Sequence, residues 1–218
     1  MKQYIEQTLL RADITQKELE NFLEEAKKYE FFGVCINPAN VKFAKNYLRG
    51  SSIKIITVVG FPLGASTTKT KVFEACDAIE NGADEVDMVI NLTYLKSKLY
   101  TETKEDIEAV VKACKSTPVK VIIETDLLTE EEIKIASQIC IKAGAKFVKT
   151  STGFVKNGVG AKEKDVALMY ETVKNYNLQV KASGGIRSYE DAQKMIKRGA
   201  SRLGTSAGVK ILEEALEK

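Results

Sequence analysis

Eight short apolar runs, each followed by a helical stretch, recur along the chain and do most to decide what it can fold into. They are IEQTLL from Ile5, GVCIN from Gly33, KIITVVG from Lys54, EVDMVIN from Glu85, VKVIIET from Val119, KFVKTS from Lys146, QVKAS from Gln179 and SRLGTS from Ser201. Successive runs start 28, 21, 31, 34, 27, 33 and 22 residues apart. That spacing suits a strand plus a helix and is too wide for hairpins. Runs rich in Val and Ile, with little polar alternation, indicate parallel strands covered on their outer face.

The intervening segments carry helix signals. Thr15-Gln16-Lys17-Glu18 and Thr129-Glu130-Glu131-Glu132 are capping boxes, and Ser188 with Asp191 is a weaker version. Leu19, Phe22, Leu23 and Ala26 form an apolar face at helical spacing, as do Val72, Ala75, Cys76 and Ile79, and Ile107, Val110, Val111 and Cys114. Three helical stretches end in Gly-Ala just before a strand, at Gly82, Gly144 and Gly199, where glycine permits the left-handed turn that stops a helix. No Pro, Gly or Ser cluster divides the chain, so residues 1–218 read as one α/β unit, a single-domain (β/α)8 TIM barrel near the small end of its size range. A doubly wound open sheet is the alternative, disfavoured because no GxGxxG follows the first strand.

Composition removes whole classes of function. The chain has no His, so Ser-His-Asp and Cys-His nucleophile systems and His-based zinc sites are excluded. Acid–base work must fall to carboxylates, lysines, tyrosines or cysteines. A net charge of +3 argues against a nucleic-acid platform. The longest uncharged run, Ile55 to Thr68, contains Gly60, Pro62 and Gly64 and is too short to span a bilayer. Lys2 is followed so closely by Glu6 that no signal peptide is expected. Cys35, Cys76, Cys114 and Cys140 form no CxxC and read as free thiols in a reducing cytoplasm.

In a barrel, active residues lie at the C-terminal ends of strands. Three charges interrupt the apolar pattern there: Asp87 in EVDMVIN, Lys149 in KFVKTS and Lys181 in QVKAS. Facing inward, they form either a satisfied ionic network or a catalytic group. Two neighbouring lysines have a specific use: a nearby positive charge and desolvation lower an amine's pKa, so that it can attack a carbonyl to form a Schiff base. A carboxylate beside them can shuttle protons. Lys54, Lys120 and Lys146, near strand starts, are read as belonging to the stability face, without chemistry. Gly184-Gly185 after the seventh run and Gly204 to Gly208 after the eighth lie where barrels commonly hold phosphate, although two ordinary tight turns would look the same.

The strings TVVGFPLGA (57–65), EVDMVINLTYLKS (85–97), VKVIIETDLLT (119–129), FVKTSTGF (147–154) and VKASGGIRSYEDA (180–192) closely resemble the bacterial deoxyribose-phosphate aldolases, in order and spacing, from about Tyr4 to Ile211. The resemblance implies a (β/α)8 class I aldolase without a cofactor or metal. Its reaction would be reversible cleavage of 2-deoxy-D-ribose 5-phosphate to D-glyceraldehyde 3-phosphate and acetaldehyde, in deoxyribonucleotide catabolism. It implies Lys149 as the Schiff-base lysine, Lys181 as its partner and Asp87 as the acid/base carboxylate. Thr152, Gly153, Gly184, Gly185 and Ser206 fall on positions that bind the sugar phosphate, Cys35 lines the pocket, and Glu6 and Thr8 are expected to meet substrate. The expected partners are a sugar phosphate and aldehydes, with no nucleic acid and no membrane; a homodimer or higher homo-oligomer is left open.

Three departures stand out. Glu6-Gln7-Thr8 replaces the usual Asp-His-Thr, Phe154 stands where some members carry a lysine, and Ala207 stands where Ser is common. The competing functions are a non-catalytic sugar-phosphate-binding paralogue and another Schiff-base enzyme of the same fold, transaldolase-like in activity. A metal-dependent aldolase is disfavoured by the lack of histidine ligands.

Overall fold

The computed structural model describes residues 1–217. The eight apolar runs form eight parallel strands: β1 (Ile5–Leu9), β2 (Gly33–Ile36), β3 (Lys54–Val59), β4 (Glu85–Val89), β5 (Val119–Ile122), β6 (Phe147–Lys149), β7 (Gln179–Ser183) and β8 (Ala200–Thr205). Each pairs with the next, and β8 pairs with β1, closing the barrel. Around it lie α1 (Gln16–Tyr29), α2 (Val41–Tyr47), α3 (Thr68–Glu80), α4 (Leu92–Lys96), α5 (Tyr100–Cys114), α6 (Glu130–Lys142), α7 (Glu163–Val173), α8 (Tyr189–Lys197) and α9 (Gly208–Leu216). This is the (β/α)8 barrel expected from the strand–helix recurrence.

The local signals act where the sequence places them. Thr15, Thr129 and Ser188 each cap a helix, with the reciprocal bond from Glu18, Glu132 or Asp191. Gly82, Gly144 and Gly199 take φ of 109°, 80° and 101°, turning the chain back to the next strand. The α3 face differs from expectation. Lys71, Ala75 and Ala78 are its buried residues, whereas Val72 and Ile79 are half-buried. Lys71 can take the core side because its amine reaches Asp106 of α5 at 2.6 Å, and Thr68 donates to the other oxygen of that carboxylate at 2.7 Å.

Two cores result. Outward-facing strand residues such as Val86, Met88, Val121 and Val148 pack with the helices in one continuous layer. Inside the barrel, β2 and β3 supply an apolar patch of Cys35, Ile56 and Val58, joined by Leu10 and flanked by Phe32 and Phe61. Beside it the interior carries the charged side chains, with the Phe147 ring against Lys120 and Arg202.

Candidate active site

Strand register brings the charges together. Asp87 of β4 lies beside Lys120 of β5, Lys149 of β6 beside Lys181 of β7, and Lys181 beside Arg202 of β8. All point into a space too narrow to hydrate them, so each must be compensated by a neighbour. Asp87, fully buried, is the hub. Its Oδ2 accepts from Lys149 Nζ and from Lys181 Nζ, each at 2.7 Å, and its Oδ1 accepts from Lys120 Nζ at 2.8 Å. Lys120 also meets Glu85 at 2.6 Å and Glu6 at 3.4 Å. Glu6 accepts from Lys181 and, at 3.0 Å, from Arg202, whose guanidinium lies 3.3 Å from the centre of the Phe32 ring.

These contacts set the charge states. Burial alone pushes the Asp87 carboxyl up, but Lys120, Lys149 and Lys181 outweigh it and hold Asp87 well below the usual carboxylate range. Burial opposes the charge on Lys181, yet Asp87 and Glu6 outweigh it and raise that amine above its ordinary value. Lys120 is raised against burial by Asp87 and Glu6 in the same way. Lys149 has a single carboxylate partner among the described residues and is the one lysine of the three that borders the cleft.

That cleft, about 390 Å³, opens at the C-terminal ends of the strands. Thr8, Lys149, Thr152, Gly153, Gly184, Gly185 and Ser206 line it, so most of the residues expected at the site converge. Asp87 and Lys181 lie beneath, joined to it through Lys149. Phe154 forms part of the rim, edge-on to Phe61 with ring centres 5.1 Å apart. Arg187 borders the cleft on the phosphate side expected from the glycines.

Two expected substrate contacts lie elsewhere. Glu6 does not border the cleft; its carboxylate is held by Lys181, Arg202 and Lys120, two residues below Thr8. Cys35 is fully buried in the apolar patch, and burial pushes its thiol up, so it is a neutral packing group.

The reading of Lys120 as a stability-face residue is overturned. Barrel strands are staggered, so the second residue of β5 lies level with the third of β4. Lys120 is therefore fully buried on Asp87. Glu124 and Ser151, like Glu85, Arg187 and Arg202, were not singled out by sequence. Glu124 sits in a left-handed conformation (φ 61°) and accepts from the backbone N–H of Thr152 at 3.2 Å and from its hydroxyl, fixing the loop after β6. Ser151, two residues beyond Lys149, borders the cleft with a buried hydroxyl that makes no hydrogen bond among the described residues.

Residues 1–218 match the family model described as DeoC/LacD family aldolase. The chain belongs to this family. It is 53% identical over 212 residues, 97% of the chain and 95% of the relative, to deoxyribose-phosphate aldolase 1 of Staphylococcus aureus strain Mu50. It is 53% identical over 209 residues, 96% of the chain and 94% of the relative, to deoxyribose-phosphate aldolase 2 of S. aureus strain COL. Among solved structures, the tetrameric deoxyribose phosphate aldolase from Aeropyrum pernix superposes with a TM-score of 0.90 at 33% identity, covering 98% of this chain and 89% of that one. The family's members share the class I, Schiff-base chemistry for which a cleft lysine is the requirement.

Proposed function

We propose that this aldolase reversibly cleaves 2-deoxy-D-ribose 5-phosphate to D-glyceraldehyde 3-phosphate and acetaldehyde through an imine on Lys149. The observation that carries the reading is Asp87 Oδ2, held 2.7 Å from both the Lys149 and the Lys181 amines at the floor of the cleft. Four interior cations (Lys120, Lys149, Lys181 and Arg202) face three carboxylates (Glu6, Glu85 and Asp87). Lys149, with Asp87 as its carboxylate partner and access to the cleft, is the amine placed to meet a carbonyl there.

The neutral amine attacks the C1 aldehyde of the open-chain sugar, and loss of water from the carbinolamine gives the protonated imine. Removal of the C3 hydroxyl proton then breaks the C2–C3 bond. Its electron pair moves into the enamine, and glyceraldehyde 3-phosphate leaves. Protonation at C2 and hydrolysis release acetaldehyde. Asp87, kept anionic by Lys120 and Lys181, is the group that accepts and returns protons beside the imine, through water. The hydroxyls of Thr8 and Ser151 face the sugar, and the turns at Thr152-Gly153, Gly184-Gly185 and Ser206 receive the phosphate, with Arg187 supplying charge.

Free cysteines support a reducing cytoplasm, and the sugar phosphate supports a place in deoxyribonucleotide breakdown. No helix among the described residues is long and apolar enough to cross a membrane. The tetrameric relative from A. pernix supports a homo-oligomer of this chain. Borohydride reduction in the presence of deoxyribose 5-phosphate, followed by peptide mass mapping, tests the mechanism. The adduct is expected on Lys149, and Lys149→Met is expected to abolish trapping and turnover with the fold retained. An adduct on Lys181 with none on Lys149 reverses the assignment.

A further inference from the structure

Helix α9, whose N-terminus adjoins the Ser206 edge of the cleft, lacks a cap of its own. Its N-cap residue is Ala207, which offers no side-chain acceptor. The missing acceptor comes from another element. Gln7 of β1 is 3% exposed, and its side chain leaves the barrel between α1 and the start of α9. Gln7 Oε1 accepts from the Gly208 N–H at 2.9 Å, while Nε2 donates to the Ser206 carbonyl at 3.4 Å and to Glu25 of α1 at 3.2 Å. The fit is close: a Cβ on Gly208 would lie 2.4 Å from Gln7 Oε1. The clamped loop is tied in turn to the turn after β7. Thr205 Oγ1 donates to Ile186 O at 2.7 Å and accepts from Ala207 N–H at 2.9 Å.

We propose that Gln7 is a positioning residue for phosphate recognition. Its amide caps α9 from β1 and holds Ser206 to Gly208, and through Thr205 the Gly185-Ile186 turn, in the shape that receives the substrate phosphate. The proposal rests on the reading of these turns as the phosphate site. Gln7 touches no part of the imine centre, so it governs affinity for the phosphate and leaves the chemistry at Lys149 alone. Both halves of the amide are needed. An acceptor alone would cap the helix but release Ser206, and a donor alone would leave the Gly208 N–H without a partner.

Inorganic phosphate is the probe, as a competitive inhibitor of deoxyribose 5-phosphate cleavage. Gln7→Met keeps the length and loses all three bonds. Gln7→Asn keeps an amide that falls one methylene short and serves if the first variant unfolds. In either, the phosphate inhibition constant and the KM for the sugar phosphate are expected to rise about tenfold, the effect of one or two lost hydrogen bonds. The kcat is expected to change by less than about twofold. Borohydride trapping with acetaldehyde, which carries no phosphate, is expected to stay unchanged. At pH 8 a neutral imidazole supplies one acceptor and one donor, so Gln7→His is expected to recover most of the affinity. Equal inhibition of the unmodified chain and the variants overturns the role of Gln7 and leaves the phosphate site standing. Failure of phosphate to compete in the unmodified chain overturns both. Acetaldehyde trapping that falls as KM rises, or a His variant no better than Met, reduces Gln7 to a support of the barrel.

Discussion

At the scale of single residues, the centre works because no charge in it has only one task. Lys120 meets Asp87, Glu85 and Glu6 at once, and it is the largest contributor holding Asp87 ionised. Lys120→Met removes the cation that those carboxylates share inside the barrel, and breaking a buried ion pair in this way costs about 3–5 kcal/mol. The same change removes a positive charge that lowers Asp87, so the acid limb of the pH–rate profile is expected to move to higher pH. Urea unfolding and the profile together check this, and a stable variant with an unmoved limb contradicts it. Glu6 makes a second case. It touches Lys181 and Arg202 and no part of the cleft, so Glu6→Gln is expected to weaken sugar-phosphate cleavage and acetaldehyde trapping together. Loss of a charged hydrogen bond of about 1.5–3 kcal/mol sets the scale, at least tenfold in both signals. Loss with the sugar phosphate alone would return Glu6 to the substrate. The sequence showed Asp87, Lys149 and Lys181 because each breaks an apolar run, but it concealed Lys120 and misplaced Glu6. Depth inside a barrel is set by the stagger between strands, which no single strand carries in its own alternation.

At the scale of elements, most of what could be read was local. The strands start within a residue of the apolar runs, the three capping boxes form, and the Gly-Ala stops turn as expected, because each depends on chemistry within a few positions. Contacts between loops were not legible. The loop after β6 lies against the turn after β7: Ala161 N–H donates to Gly184 O at 3.0 Å, and a Cβ on Gly160 would fall 2.4 Å from the Gly184 carbonyl carbon. Gly160 also has φ of 83°, where an L side chain costs about 1–2 kcal/mol. Gly160→Ala is therefore expected to push the Gly184-Gly185 turn out of position. The KM for the sugar phosphate rises about tenfold, equivalent to some 1.4 kcal/mol, while acetaldehyde trapping on Lys149 persists. Steady-state kinetics beside borohydride trapping checks it; an unaltered KM would show that the phosphate turn tolerates the shift.

At the scale of the whole molecule, the barrel interior is divided, with Cys35, Ile56 and Val58 on one side and seven charged side chains on the other. This division ties stability to pH in a way the absence of histidine makes readable. Asp87 and Glu6 are held below the ordinary carboxylate range. Their contribution is present above an unfolded pKa of about 4 and is lost as pH falls through the folded values. Lys181 and Lys120 are held above the ordinary amine range, so their contribution is complete below about 10.4 and is lost as pH rises through the folded values. The thiols titrate earlier. Burial raises Cys35 and Cys140 and pushes Cys114 up to about 11, so the unfolded chain ionises at about 8.5 while the folded one stays neutral. With no imidazole to charge between them, the urea midpoint is expected to be flat from about pH 5 to 8. It should fall below about 4 with the carboxylates, begin to fall near 8.5 with the thiols, and steepen beyond about 10.4 with the lysines. Asp87→Asn removes the largest of the causes that raise Lys181, so the amine-driven fall, which begins near 10.4 with the unfolded chain, should be smaller in that variant than in the unmodified chain. Urea unfolding at intervals from pH 3 to 11 decides the matter. A midpoint that slopes through pH 6, or an alkaline limb that Asp87→Asn leaves in place, would show that the interior charges are not what sets the molecule's stability.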